Sequence, residues 1–297
     1  MRILNASGCL DALAAPAVAR SLDAYVTKTV TLAARTGNSP VRIAETDCGM
    51  LNSIGLENPG SDRFLRETLP RLLELGVPVW ASVGGFSAAE YAELCARLDG
   101  EEVEAIELNV SCPNVDSPAE ATDEIVRAAR AATGKPLYAK LSPALPDVAG
   151  AARAAAAAGA DGLSLVNTLR GLALDRRTLT PVLATASGGL SGPAVRPVAL
   201  AAVYACYRAT RLPIVAMGGI ETGRHALDLV AAGASACALG TVLFRDPGAP
   251  VRVRRELDAE ARSYGFEHPL AARARAHARN AESLPFSAKT PAKVAQN

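Results

Sequence analysis

The chain has 297 residues, 49% of them apolar and 21% charged, and its 31 basic side chains nearly cancel its 30 acidic ones, for a formal net charge of +1. That balance, with no block of like charge ahead of the C-terminal tail, argues against a binder of nucleic acid or another polyanion. No apolar run approaches the roughly 20 residues that span a bilayer, and the start, MRILNASGCLDALAAP, lacks the basic-then-apolar order of a secretion signal, so a soluble cytoplasmic protein is expected.

Short apolar, β-branched runs bounded by Gly, Pro or Asn follow one another along the chain. They are ILNASG (3–8), AYVTKTV (24–30), VPVWASV (77–83), AIELNVS (105–111), PLYAKLS (136–142), GLSLVNT (162–168), PIVAMGG (213–219) and ACALGTV (236–242). The runs are nearly continuous and do not alternate with polar residues, as expected of a parallel sheet covered on both faces. Between most of them lie Ala-rich segments of helical period, SAAEYAELCARL, DEIVRAARAAT, VAGAARAAAAAGA and TGRHALDLVAAGA. Eight alternations of strand and helix predict an α/β fold, a single (β/α)8 TIM barrel over residues 1–297. Two connections are longer than a plain crossover, LAARTGNSPVRIAETDCGMLNSIGLENPGSDRF after the second run and LRGLALDRRTLTPVLATASGGLSGPAVRP after the sixth. Both leave carboxyl ends of strands, so they are expected as ordered loops forming walls or lids of a site at that mouth. From about 270 to 297 a basic and polar tail follows, beginning as a helix and ending in a dozen poorly ordered residues.

The six cysteines lie far apart, with no CxxC pair and no His at metal-ligand spacing, so neither a disulfide framework nor a metal site is expected. Polar groups gather instead at strand ends: Ser7 after the first run, Lys28 in the second, Asn109, Ser111, Cys112 and Asn114 after the fourth, Lys140 in the fifth, Asn167 and Thr168 after the sixth. Such groups inside apolar strands are costly unless paired. One buried lysine would be a structural ion pair; two on separate strands with Asn nearby favour a site for a flat, polar, electron-rich ligand. The last two runs end in glycine, in MGGI and ALGT, and open onto helices, while SGGLSGPAVRP has the same form. Strand-to-helix turns of this kind expose backbone N–H groups to an anion, so a phosphorylated cofactor is the economical reading.

The runs ASG, NSIGLENPG, ELNVSCPNV, KLSP, VNTLRGLALD, GGLSGPAVRPVAL, MGGI and GASACALGT, in this order over about residues 3–266, resemble the class 1 dihydroorotate dehydrogenases, FMN-containing (β/α)8 barrels of pyrimidine biosynthesis. The resemblance implies oxidation of dihydroorotate to orotate, with Cys112 as the base that takes the C5 proton while a hydride leaves C6 for flavin N5. Lys28 matches a lysine beside flavin and substrate, and Asn52, Ile54, Gly55 and Leu56 match a loop that grips orotate. Asn109, Asn114, Asn167 and Thr168 match pyrimidine-binding groups, Asn109 also touching cofactor. Lys140 matches the lysine at the N1 and O2 edge of the flavin, and Ser7, Gly8, Gly192, Gly218, Gly219, Gly240 and Thr241 match FMN contacts. The resemblance further implies a homodimer. Asn-Thr at 167–168, and the run TPVLATASGGLSGPAVRPVAL, look closer to the branch whose barrel works with an iron–sulfur flavoprotein subunit and NAD than to the fumarate-linked branch, which typically has Asn-Ser.

Three departures bear on substrate. The chain begins six residues before Ser7, so the family's usual N-terminal hairpin is expected to be absent and the barrel bottom covered by other groups. The segment after Cys112, NVDSPAEATDEIV, is shorter than the family's mobile loop. Arg170 stands where an aliphatic residue is common, either salt-bridged outward or binding an extra acidic group at the mouth. An FMN-dependent oxidoreductase acting on another cyclic amide or acid therefore stays open as an alternative, and a flavin-free phosphosugar aldolase or isomerase, or a noncatalytic barrel, would share the fold.

Overall fold

A computed structural model of the chain describes residues 1–110 and 122–278. Its strands are, in chain order, β1 (Arg2–Asn5), β2 (Tyr25–Val26), β3 (Ile43–Thr46), β4 (Gly49–Asn52), β5 (Val79–Val83), β6 (Ala105–Leu108), β7 (Leu137–Leu141), β8 (Gly162–Leu165), β9 (Leu169–Leu172), β10 (Ser187–Ser191), β11 (Ile214–Met217) and β12 (Ala236–Leu239). Eight form one parallel sheet in the order β1-β12-β11-β8-β7-β6-β5-β2. A parallel bridge from Leu4 to Ala24 joins β1 back to β2, which closes the sheet into the (β/α)8 barrel that the eight apolar runs predict.

Each strand divides its side chains by parity between two cores. Residues such as Ile3, Ile106, Leu137, Leu141 and Leu163 pack outward in the large cluster under the helices. The others, among them Leu4, Val26, Trp80, Ala105, Val215, Met217 and Ala238, meet in a separate cluster inside the barrel. Towards the N-terminal end that interior is filled by Trp80 against Tyr138, ring centroids 4.4 Å apart. Glu104 there accepts from Trp80 Nε1 at 2.9 Å and from Arg2 at 2.7 Å. Further along the same strands, towards the other end, stand Ser82, Glu107 and Lys140, all buried.

The Ala-rich segments form the helices Ala88–Asp99, Thr122–Ala132, Val148–Ala157 and Gly223–Ala232. Ser87, Asp147 and Thr222 cap three of them by accepting from the amides of Glu90, Gly150 and His225, a device that contributes about 1 kcal/mol each. Among the described residues, no helix is long and apolar enough to cross a membrane.

Three expectations are corrected. The two long connections pair with each other, as the four-stranded antiparallel sheet β3-β4-β10-β9, where loops were expected. Asn52 stands opposite Gly189 across that sheet, and its Nδ2 donates to the Gly189 carbonyl at 3.2 Å. The second run does not continue as a strand to residue 30. Thr27 N donates to Trp80 O and Val30 N to Ser82 O, so the chain spends three residues where β5 spends two; the extra residue is a bulge, which re-aims side chains at Lys28 and Thr29. Finally, the start of the tail is not a helix. Residues Pro269–Ala272 and Arg275–His277 are 3-10 turns docked on the end of the helix Gly223–Ala232, with Arg273 Nε donating to Gly233 O at 2.9 Å and His277 Nε2 lying 2.8 Å from Ala232 O. The final dozen residues lie outside the described residues.

Candidate active site

Carboxyl ends of the barrel strands, roofed on one side by the second sheet, enclose a cavity of about 290 Å³. Ser7, Gly8, Lys28, Asn52, Ile54, Leu56, Asn109, Lys140, Asn167, Thr168, Gly192, Gly218, Gly219, Gly240 and Thr241 all line it. Cys112 and Asn114 lie outside the described residues, following Asn109 past the end of β6. Gly55 is not on the lining. Its φ is +76°, and a Cβ there would fall 2.5 Å from Asn38 Oδ1 and 2.7 Å from Asn38 N, so glycine at this position lets the two limbs of the loop approach. Arg170 is exposed, on a β9 whose other outward residue is Leu172, and does not line the cavity.

The two lysines differ. Lys28, in the bulge, is exposed. Lys140 is buried and ion-paired: its Nζ lies 3.2 Å from Glu107 Oε1, with the two side chains 7% and 1% exposed. From Glu107 a chain of hydrogen bonds runs up to the strand ends. Ser82 Oγ donates to Glu107 at 3.3 Å, Thr29 Oγ1 lies 3.0 Å from Ser82 Oγ, Asn109 Nδ2 donates to Thr29 Oγ1 at 3.2 Å, and Asn167 Nδ2 donates to Asn109 Oδ1 at 3.0 Å. Ser7 Oγ joins at Thr29, 3.3 Å away, while donating to Thr27 O. Glu107, Thr29 and Ser82 were not singled out from the sequence. The available signal was Glu107 itself, a carboxylate between Ile106 and Leu108 that shares the parity of Asn109.

On the opposite wall the glycine turns come together. The end of β10 leads through Gly192 into a 3-10 turn and the helix Arg196–Thr210, β11 leads through Gly218 and Gly219 to the helix Gly223–Ala232, and β12 leads through Gly240 and Thr241 to the short helix Val242–Arg245. Thr241 Oγ1 donates to Ser191 Oγ at 2.8 Å and ties two of the turns together. The amides of Gly219, Gly240 and Thr241 donate to no backbone carbonyl among the described residues, which leaves them for an anion in the cavity. A Cβ on Gly219 would fall 2.7 Å from Arg196 Cβ and 3.0 Å from Gly192 O. On Gly240 it would make only ordinary van der Waals contacts, with Ala6 Cβ at 3.6 Å and Cys9 Sγ at 3.7 Å.

Cys9 brings a thiol to the lining. Burial pushes it up to about 11 although Lys140 pulls the other way, so it stays neutral and does not serve as a base near neutral pH. His225 lies on its helix off the lining; burial first and the Arg196 guanidinium next hold its pKa below the usual imidazole value.

Comparison with known proteins places this geometry. The family model described as dihydroorotate dehydrogenase matches residues 2–260. Among curated relatives, a protein of Desulforudis audaxviator is 48% identical over 245 residues, covering 80% of this chain and 80% of its own. One of Geobacter sp. is 44% identical over 255 residues, covering 83% and 84%, and one of Anoxybacillus flavithermus is 43% identical over 255 residues, covering 83% and 82%. All three carry the name dihydroorotate dehydrogenase B (NAD(+)), catalytic subunit.

Proposed function

The chain belongs to the dihydroorotate dehydrogenase family, and we propose that it oxidises dihydroorotate to orotate with FMN as cofactor, as the catalytic subunit of an NAD-linked enzyme. The observation that carries this reading is convergence: carboxamides from three strand ends, two lysines and three glycine turns line one cavity at the mouth of the barrel.

The residues present suit FMN. Gly192, Gly218, Gly219, Gly240 and Thr241 offer amides and clearance to a phosphate, and Lys140 offers a buried positive charge to the electron-rich edge of a flavin. When bound, FMN supplies the two-electron acceptor. This chain's own groups do the rest. Asn52, Asn109, Asn114, Asn167 and Thr168 present donors and acceptors together, as a ring of alternating carbonyl and N–H groups requires. Lys28, exposed to the cavity, gives an acidic substrate a counter-charge. Cys112 takes the carbon-bound proton; an ordinary thiol, with a pKa near 8.5, is only slightly ionised at neutral pH, so the rate is expected to rise with pH.

The same reading assigns the later electron transfer to a partner. This sequence has no cysteine cluster for an iron–sulfur centre and no GxGxxG after a strand, so we assign that step to an iron–sulfur flavoprotein subunit docked on a homodimer of barrels. The test is direct: the purified chain is expected to be yellow, to bleach anaerobically with dihydroorotate, and to reduce an artificial dye but not NAD. A colourless preparation, or rapid turnover with fumarate, overturns the reading.

A further inference from the structure

We propose that Glu107 is the positioning residue of this site, holding Lys140 as a charged donor and setting the direction of the hydrogen-bond chain that orients Asn109 and Asn167. The inference rests on the flavin reading of the cavity.

A carboxylate is an acceptor only, so the Ser82 hydroxyl, at 3.3 Å, spends its one proton on Glu107. Toward Thr29, 3.0 Å away, Ser82 is then left as acceptor. Thr29 Oγ1 in turn accepts from Asn109 Nδ2, which leaves Asn109 Oδ1 to accept from Asn167 Nδ2. Every donor on this path points the same way, towards Glu107, and the two carboxamides therefore have fixed faces. On its other side the same Oε1 meets Lys140 Nζ at 3.2 Å. With the two side chains 1% and 7% exposed, water cannot take over either contact, and a buried amine without a counter-charge gives up its proton readily.

Among the described residues, Glu107 is the carboxylate paired with Lys140. From the neighbouring strands, Ser82, Ser164, Met217 and Ala238 do not titrate. Among the described residues, the other titratable side chains on the lining are Cys9 and Lys28 beyond the ends of β1 and β2, and Glu221 beyond the end of β11. Cys112 lies outside the described residues.

The test is the midpoint potential of bound flavin, measured from pH 6 to 9 in the wild type, Glu107→Gln, Glu107→Asp and the double variant Glu107→Gln with Lys140→Met. Gln removes the negative charge, so at low pH, with Lys140 still protonated, reduced flavin is favoured over oxidised by about tenfold, roughly 30 mV for two electrons. That offset is expected to fade as pH rises and Lys140 loses its proton. In the double variant, neutral at both positions, the potential is expected to follow the wild type. In both Gln variants KM for dihydroorotate is expected to rise about tenfold with a smaller change in kcat, because an amide in place of the carboxylate can donate to Ser82 and reverse the chain. Glu107→Asp keeps the charge but draws it away from Nζ, so its potential is expected between wild type and Gln. It also carries the test if Glu107→Gln does not fold. Yellow variants with the wild-type potential at every pH overturn the proposal, as does an offset that survives in the double variant. A colourless wild type overturns the flavin reading instead.

Discussion

Two glycines of the anion wall are expected to fail in different ways when a methyl group is added. Gly219 has φ +71°, and its Cβ would fall 2.7 Å from Arg196 Cβ, 3.0 Å from Gly192 O and 3.1 Å from Arg196 N. Left-handed backbone costs a non-glycine residue about 1–2 kcal/mol, and crowding against backbone that cannot swing aside costs about 1–3 kcal/mol more. Gly219→Ala should therefore lower the stability of the cofactor-free protein by about 2–5 kcal/mol, a fall in Tm of roughly 3–8 °C for a domain of this size. Gly240 has no positive φ, and its Cβ would find only ordinary contacts at 3.6 and 3.7 Å. Gly240→Ala is accordingly expected to melt like the wild type when stripped of cofactor. Its methyl group would add bulk to a turn that lines the cavity, so FMN affinity should fall at least about tenfold, about 1.4 kcal/mol. The assay is thermal melting with and without added FMN, since a ligand that binds only the folded state raises Tm by an amount that grows with the logarithm of its affinity. If Gly240→Ala keeps the full FMN-induced shift, or Gly219→Ala melts like the wild type, the placement of the phosphate among these turns is wrong.

Cys112→Ala is expected to purify with its flavin and to be reduced by dihydroorotate about 10²-fold or more slowly in anaerobic stopped flow, the usual worth of a positioned base; unchanged reduction would remove Cys112 from that role. Lys140→Ala leaves Glu107 buried without its ion-pair partner and should destabilise the fold by about 3–5 kcal/mol. Most of that should return when Glu107→Gln accompanies Lys140→Met, as urea unfolding would show, and a single variant as stable as the wild type would mean that the pair is wet in solution. Arg170→Leu, a change off the cavity lining, should leave the ratio of kcat/KM between dihydroorotate and bulkier acidic analogues unchanged, and a shifted ratio would put the guanidinium at the mouth.

How far the sequence carries the fold depends on whether the signal is local. β5, β7, β8, β11 and β12 are short, almost wholly apolar and bounded by Gly, Pro or Asn, so composition alone marks them. The second sheet has no such mark. β3 and β4 read IAET and GMLN and β10 reads SGGLS, polar and glycine-rich segments typical of loops, and β4 meets β10 across 137 positions of sequence at Asn52 and Gly189. What makes them strands is a partner, and the partner is distant. The bulge in the second run is hidden for the same reason, since it exists only relative to the register of β5.

The site divides along the same line. Its glycines and carboxamides stand out because such residues at the ends of apolar strands have no structural excuse, and nearly all of those described reach the one cavity. Lys28 and Lys140, however, look alike in sequence, each a lysine in an apolar run. Their difference lies in what a neighbouring strand brings: β6 sets Glu107 beside Lys140 across 33 positions, whereas Lys28, in the bulge, stands exposed on the cavity lining. Parity supplies the missing inference, because two residues before Asn109 on the same strand must face the same interior, and a carboxylate there needs a cation. Lys140, on the next strand and in a run quoted for its lysine, was the partner within reach. Strand order and alternation suffice for the pairing once Glu107 is read as buried and not as the polar edge of a half-exposed strand.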